Sequence, residues 1–220
     1  MRKLLVVTLV MATIVISSCS DTTTGPGGGG GGEVTVNNPL PLAVGNWWGY
    51  LNIQETGKSD TTRDTIRIIG TDIVNGHNTY VIVMRDDEGN IDTTYVYRDG
   101  EFIHTIERVI GDSMVTTNFV KVPFSTGDSW TVYSISDSTY SITVIARVIG
   151  SANVSVPVGS FSSAAEVEQQ FIWSYTYGGT TYSDTSYSYF YFADNIGVIQ
   201  IEDVEDSTRT VSKLEDYHLE

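Results

Sequence analysis

Apolar and polar residues alternate along most of this chain. Ile66-Arg67-Ile68 and Tyr140-Ser141-Ile142-Thr143-Val144 switch at nearly every step, and Tyr80-Val81-Ile82-Val83-Met84 is a short apolar run. A period of two puts alternate side chains on one face of an extended strand, so these segments predict strands. Thr, Val, Ile and Tyr dominate, and these β-branched and aromatic residues fit a pleated surface. Turn signals recur at intervals of roughly 11–16 residues over much of the chain, with a longer gap after Gly127-Asp128: Asn75-Gly76, Glu88-Gly89-Asn90, Asp99-Gly100, Gly111-Asp112, Gly127-Asp128, Gly178-Gly179 and Asp194-Asn195. No window carries a 3.6-residue period. Phe161 to Gln170 has alanines and glutamates, but it opens at Gly159-Ser160 and runs into Phe171-Ile172-Trp173, which favours a strand. The expected fold is all-β and antiparallel.

The pattern also repeats. Pro41-Leu42-Ala43-Val44-Gly45-Asn46-Trp47-Trp48 is echoed by Pro123-Phe124-Ser125-Thr126-Gly127-Asp128-Ser129-Trp130. Ile66-Arg67-Ile68-Ile69-Gly70 is echoed by Ala146-Arg147-Val148-Ile149-Gly150, and Tyr95-Val96-Tyr97 by Tyr189-Phe190-Tyr191. The order is the same and the spacing drifts. This predicts a single domain over 39–220 with an internal duplication, about 39–121 and 122–217, each half a meander of four or five strands. Two tandem meanders can join into one curled sheet or a partly open barrel, and a β-sandwich is the alternative. Trp47 and Trp48 read as a plug at the end of the core, with a ligand platform as the other reading.

The N-terminus breaks the pattern. Arg2 and Lys3 precede an apolar run from Leu4 to Ile16, about 13 residues, which is short for a bilayer core of ~30 Å and reads as a signal segment. Ile16-Ser17-Ser18-Cys19 resembles a bacterial lipobox. That resemblance implies a signal peptide over 1–18 and a mature chain beginning at a lipidated Cys19, carrying palmitate-type acyl chains. An ordinary signal peptide with an incidental cysteine is the plainer alternative. Cys19 is the sole cysteine, so an intrachain disulfide framework is excluded. Two or more acyl chains would anchor stably where one would not. Ser20 after the cysteine, by resemblance to enteric sorting, favours the outer membrane, at its periplasmic face or at the cell surface. Residues 19–38 include the run Gly27 to Gly32 and read as a flexible tether with an r.m.s. reach of roughly 25 Å. Net charge is -15, and -17 once Arg2 and Lys3 are removed. Such acidity opposes nucleic acid and anionic lipid surfaces as partners.

Three further segments carry a family resemblance. Pro41-Leu42-Ala43-Val44-Gly45-Asn46-Trp47-Trp48-Gly49-Tyr50 resembles the "PL-x-VGN-x-W-x-Y" opening of a group of bacterial envelope lipoproteins. Val156-Pro157-Val158-Gly159-Ser160-Phe161 is similar to their "VP-x-G-T/S-F" segment. Tyr191-Phe192-Ala193-Asp194-Asn195-Ile196-Gly197-Val198-Ile199 is similar to their "Y-A-x-x-VG-x-I" segment. More distantly the chain resembles periplasmic lipoprotein carriers, whose curled antiparallel sheet surrounds an apolar cavity. The resemblance implies an envelope protein and no particular activity.

Candidate chemistry is sparse. His77, His104 and His218 are paired with no nucleophile signature, and Gly-x-Ser-x-Gly is absent. Asp86-Asp87-Glu88-Gly89-Asn90-Ile91-Asp92 is dense in oxygen donors but has Ile91 where a calcium loop needs glycine, so it reads as a hairpin tip. Glu202-Asp203 and Glu205-Asp206 read as turns likewise. The strongest binding feature is aromatic. Phe171, Trp173, Tyr175 and Tyr177 share one face of a strand, and Tyr187, Tyr189 and Tyr191 share one face of the next, separated by Gly178-Gly179 and a loop through Ser186. Paired strands would stack these rings in one strip, either an exposed ligand strip for a glycan or protein, or a hairpin packing its rings into the core. The core reading is favoured for Trp173. The expected function is therefore a non-enzymatic, lipid-anchored envelope protein without cofactor or metal, presenting a β domain for binding or surface structure. The rivals are a carrier of an apolar ligand and a hydrolase built on His77 or His104.

Overall fold

The computed structural model describes residues 32–55, 60–108, 113–205 and 208–220. The signal segment, Cys19, most of the glycine run and the Gly111-Asp112 turn signal lie outside the described residues. Within them the chain is a succession of strands with no helix. A short β1 (Thr35–Val36) precedes a first meander of β2 (Trp47–Gln54), β3 (Asp60–Val74), β4 (His77–Asp86), β5 (Ile91–Asp99), β6 (Phe102–Arg108) and β7 (Met114–Lys121). A short β8 (Phe124–Ser125) precedes a second meander of β9 (Ser129–Ser136), β10 (Tyr140–Val156), β11 (Gly159–Tyr177), β12 (Thr180–Ala193), β13 (Gly197–Glu205) and β14 (Thr208–His218). The two meanders form one antiparallel twelve-stranded sheet, ordered β7-β6-β5-β4-β3-β2-β14-β13-β12-β11-β10-β9. The sheet curls until β7 and β9 approach each other, a nearly closed barrel and not a sandwich.

Each described half has six strands where four or five were expected. The echoed motifs occupy matching places and make matching bonds. The Gly45 amide donates to Ile68 O at 2.9 Å and the Ile68 amide to Asn46 O at 2.9 Å. The Gly127 amide donates to Val148 O and the Val148 amide to Asp128 O, each at 2.9 Å. Trp48 sits across from Ile66 and Trp130 across from Ala146. A bulge follows at the same point in each half, between Ile68 and Gly70 and between Val148 and Gly150. The bulged Ile69 and Ile149 turn outward into solvent. A bulge bends its strand and moves the following side chains to the other face.

The barrel is filled by two contiguous clusters. One joins Val96, Ile103, Val120, Trp130, Val144, Val167, Phe190 and Phe192. The other joins Trp48, Tyr50, Ile68, Ile199 and Leu214 with Val154 and Val156 from the β10–β11 hairpin. Trp48 is the core plug, and its indole Nε1 donates to Ile196 O at 2.7 Å. Tyr50 donates its phenol to Val198 O at 2.7 Å. Trp47 is only half-buried.

The ordered domain begins before residue 39. β1 pairs with β8, and Val36 is 1% exposed inside the first cluster. The Asn37 and Asn38 amides donate to Asp194 Oδ1 at 2.9 and 2.8 Å, and the Asn195 amide returns a bond to Asn38 O at 3.0 Å. Residues 33–38 therefore strap one end of the barrel instead of extending the tether, because Val34 and Val36 alternate as a strand and find an edge at Phe124.

Candidate binding surfaces

Beyond the barrel's other end, where β13 stops pairing at Tyr187, the ends of β9, β10, β11 and β12 continue as a four-stranded extension. Tyr140, Tyr175 and Tyr182 are directly opposite one another across β10, β11 and β12, and Ile142 is opposite Trp173. Trp173 stacks on Tyr175 with ring centroids 6.0 Å apart, and Tyr175 on Tyr182 at 5.0 Å. Tyr140, Tyr182 and Tyr177 are 39%, 47% and 76% exposed. The other face of the extension is lined with hydroxyls: Ser141 bonds Ser174 at 2.9 Å and Thr176 bonds Thr181 at 3.0 Å. Trp173 is half-buried and belongs to neither core cluster, so the expectation that its ring fills the core is corrected: it lies in a partly exposed aromatic row.

The predicted strip is split between the two faces. β11 and β12 pair through a two-residue turn, so Tyr177 faces Thr180, Tyr175 faces Tyr182 and Trp173 faces Asp184. Tyr187, Tyr189 and Tyr191 instead face Gln170, Glu168 and Glu166. Paired residues share a face and neighbours alternate. Trp173, Tyr175 and Tyr177 thus continue the core face of Val167 and Phe171, whereas Tyr187, Tyr189 and Tyr191 lie on the opposite one. The loop expected through Ser186 is strand throughout, since Gly178 and Gly179 at φ 59 and 81 complete the turn themselves.

That opposite face holds a polar cleft of about 300 Å³ that sequence reasoning missed. Glu166, Tyr191 and Gln200 form a cross-strand row over β11, β12 and β13, with Glu202 one step along. The arm of the β10–β11 hairpin, Ala152 to Ser155, forms the facing wall. Glu166 is 8% exposed and Glu202 6%. Tyr191 donates to Glu166 Oε1 at 3.2 Å. Burial pushes the Glu166 carboxyl above its ordinary range, with Glu202 and Glu168 adding to the shift against the Tyr191 bond. Gln200 Nε2 and Arg209 Nη2 each donate to Glu202 at 2.7 Å. Glu202 and Asp203 lie inside β13 and not in a turn. The available signal was Ile199-Gln200-Ile201-Glu202, whose polar residues alternate with buried apolar ones on a strand with two occupied faces.

The lumen keeps an apolar cavity of about 90 Å³ among Trp48, Tyr50, Met84, Phe119, Phe190 and Ile201.

Two solved structures share this architecture. A candidate lipoprotein of Parabacteroides distasonis superposes with a TM-score of 0.53 at 13% identity, over 83% of this chain and 99% of its own. A candidate exported protein with a YmcC-like fold, from Bacteroides fragilis, superposes with a TM-score of 0.52 at 16% identity, over 83% of this chain and all of its own. At these identities the likeness is one of fold. No protein-family model matches the chain, and no curated protein sequence does.

The remaining candidates have structural partners. His77 and His104 stack on the two sides of Tyr97, with centroids 4.0 and 4.6 Å away. His104 Nε2 is 2.5 Å from Asp99 Oδ1, and none of its described contacts is a serine. His218 Nε2 meets Glu220 at 3.1 Å. Asp86 accepts both the backbone and the side-chain N–H of Asn90 at 2.7 Å, which occupies its carboxylate within the hairpin tip and holds its pKa below the usual range.

Proposed function

We propose that this chain is a non-enzymatic, lipid-anchored envelope protein of the outer membrane whose barrel presents the Trp173–Tyr175–Tyr182 platform to a neutral glycan. The observation that carries the reading is the position of the platform relative to the strap. β12 runs from Thr180 beside the platform to Ala193 beside the strap, a rise of roughly 45 Å. A chain anchored at Cys19 enters the barrel at the strap, so the aromatic rings face away from the membrane. Stacked rings with phenol tips offer flat apolar faces and hydrogen-bonding edges together, which suits the alternating C–H and hydroxyl surface of a sugar. The acidic surface disfavours an anionic polymer. The two fold relatives, named as a lipoprotein and an exported protein, support an envelope location. Carriage of an apolar ligand is the weaker reading, because a 90 Å³ cavity is small beside the ~300–1,000 Å³ of ligand pockets.

Two experiments test this. Cys19→Ala should move the protein from the membrane fraction to the soluble one or leave it unprocessed; normal processing with retention in membranes would rule out the anchor. Trp173→Ala and Tyr182→Ala should abolish retention on insoluble neutral polysaccharides such as cellulose, chitin or curdlan. Each should cost about 1 kcal/mol or less in a urea melt, as substitutions outside the core do. A large loss of stability for Trp173→Ala would return that ring to the core and end the platform reading.

A further inference from the structure

The polar cleft lies on the other face of β11–β13 from the platform, and its charges do not balance. Arg209 is the cation at its edge, and it is committed twice, to Glu202 at 2.7 Å and to Glu55 at 2.8 Å. Glu202 is satisfied on both oxygens, by Arg209 and by Gln200. Glu166 is different. It is more than nine-tenths buried and lines the cleft, and among the described residues its hydrogen bond is the one from Tyr191 to Oε1. No ion pair reaches it among those residues, and Oε2 is left over. A buried carboxylate without a counter-charge is costly, and such groups are ordinarily paired.

The cleft is also built and not incidental. The bulges at Ile149 and Asn153 bend the β10–β11 hairpin over this face. The Val158 amide holds the hairpin tip on Leu214 O at 3.3 Å. Apart from Ala152 and Val154, the walls present two amides, a phenol, a hydroxyl and two carboxylates. A divalent metal is a poor fit, since no group of three His, Cys, Asp or Glu side chains among the described residues is placed to hold one.

We propose that this cleft binds a small hydroxylated organic cation, an amino sugar or amino alcohol, whose ammonium group pairs with Glu166 and whose hydroxyls meet Tyr191, Gln200 and Ser155. The site is independent of the aromatic platform. An ammonium supplies the missing charge and up to three donors, while the volume of about 300 Å³ admits a ligand of about one sugar ring.

The full chain, purified in detergent and labelled with ¹⁵N, is titrated with glucosamine and ethanolamine beside their neutral counterparts glucose and ethylene glycol. The amines should shift the amides of Ala152 to Ser155 and the Gln200 side chain. The neutral counterparts should bind at least about tenfold more weakly, the factor a charged hydrogen bond commonly supplies. Glu166→Gln should lose about tenfold for the amines with its melt intact, and Asn153→Trp, on the exposed bulge, should block the cleft sterically without touching the carboxylate. Trp173→Ala should leave the response unchanged. The proposal is overturned if amine and neutral probe bind alike, if neither amine moves these signals at millimolar concentration, if calcium produces the same shifts, or if Glu166→Gln binds as the parent does. Should Glu166→Gln fail to fold, the paired probes and Asn153→Trp decide alone.

Discussion

At the scale of single residues, two buried side chains show how differently a polar atom can be housed. Trp48 buries its indole and still finds an acceptor in Ile196 O. Trp48→Ala should cost about 3–5 kcal/mol in a urea melt, as large buried aromatics do, and Trp47→Ala far less. Similar losses for the two would refute the assignment of Trp48 as the plug. Asp64 is buried beside Tyr50 and accepts from Asn52 at 2.7 Å. Burial raises its pKa, Asn52 opposes that, and Asp86 and Asp87 add to it. A carboxyl whose folded pKa is raised binds its proton more tightly in the native state. The parent therefore loses stability as pH climbs from the unfolded value, about 4, through the folded one. Asp64→Asn keeps an acceptor for Asn52 and carries no charge. It should raise the urea midpoint at pH 7 and lose that advantage near pH 3. An equal gain at both pH values would show that charge is not the cause.

At the scale of elements, the strap at β1 makes the sharpest contrast with expectation. As part of a tether, Val36 would be replaceable at no cost. As a residue 1% exposed in the main cluster, it should cost about 2 kcal/mol on Val36→Ala. An unchanged thermal midpoint would return residues 33–38 to the tether. Sequence reasoning missed the strap because a two-residue strand has too few alternations to read, and its edge, β8, is just as short. The long strands were legible for the opposite reason. Alternation and the Asn75-Gly76 and Gly178-Gly179 turns marked them, and the turn glycines hold positive φ as such turns require. The split of the aromatic strip was also legible in principle. A two-residue turn at Gly178-Gly179 pairs Tyr177 with Thr180, and from there every odd position of β11 faces an even one of β12. Reading a loop through Ser186 discarded that parity, and one residue of register exchanges the faces. Of the polar cleft, the alternation at Ile199-Gln200-Ile201-Glu202 marked one wall, but the other was beyond reach, because it depends on where two bulges carry the β10–β11 hairpin.

At the scale of the whole molecule, the two meanders close unequally. β2 and β14 join the halves by an antiparallel ladder from Trp47–His218 to Gln54–Thr210, bulged once between Leu214 and Asp216. At the other seam, β7 and β9 meet edge to edge without a ladder among the described residues. Asn118 Nδ2 donates to Thr131 O at 3.2 Å, and Lys121 pairs with Asp128 at 3.0 Å. Below these, Phe119 and Val120 share a cluster with Trp130 and Val132, so apolar packing and two side-chain contacts hold the barrel shut. Edge amides with few partners open at lower free energy than amides inside a ladder. Native-state hydrogen exchange should therefore release β7 and β9 well before β2 and β14. Asn118→Ala should speed exchange in both edge strands and leave the β2–β14 amides unchanged, because the lost bond touches only the seam. Uniform protection around the whole barrel would mean that the seam is closed by backbone pairing and that the two junctions are equivalent.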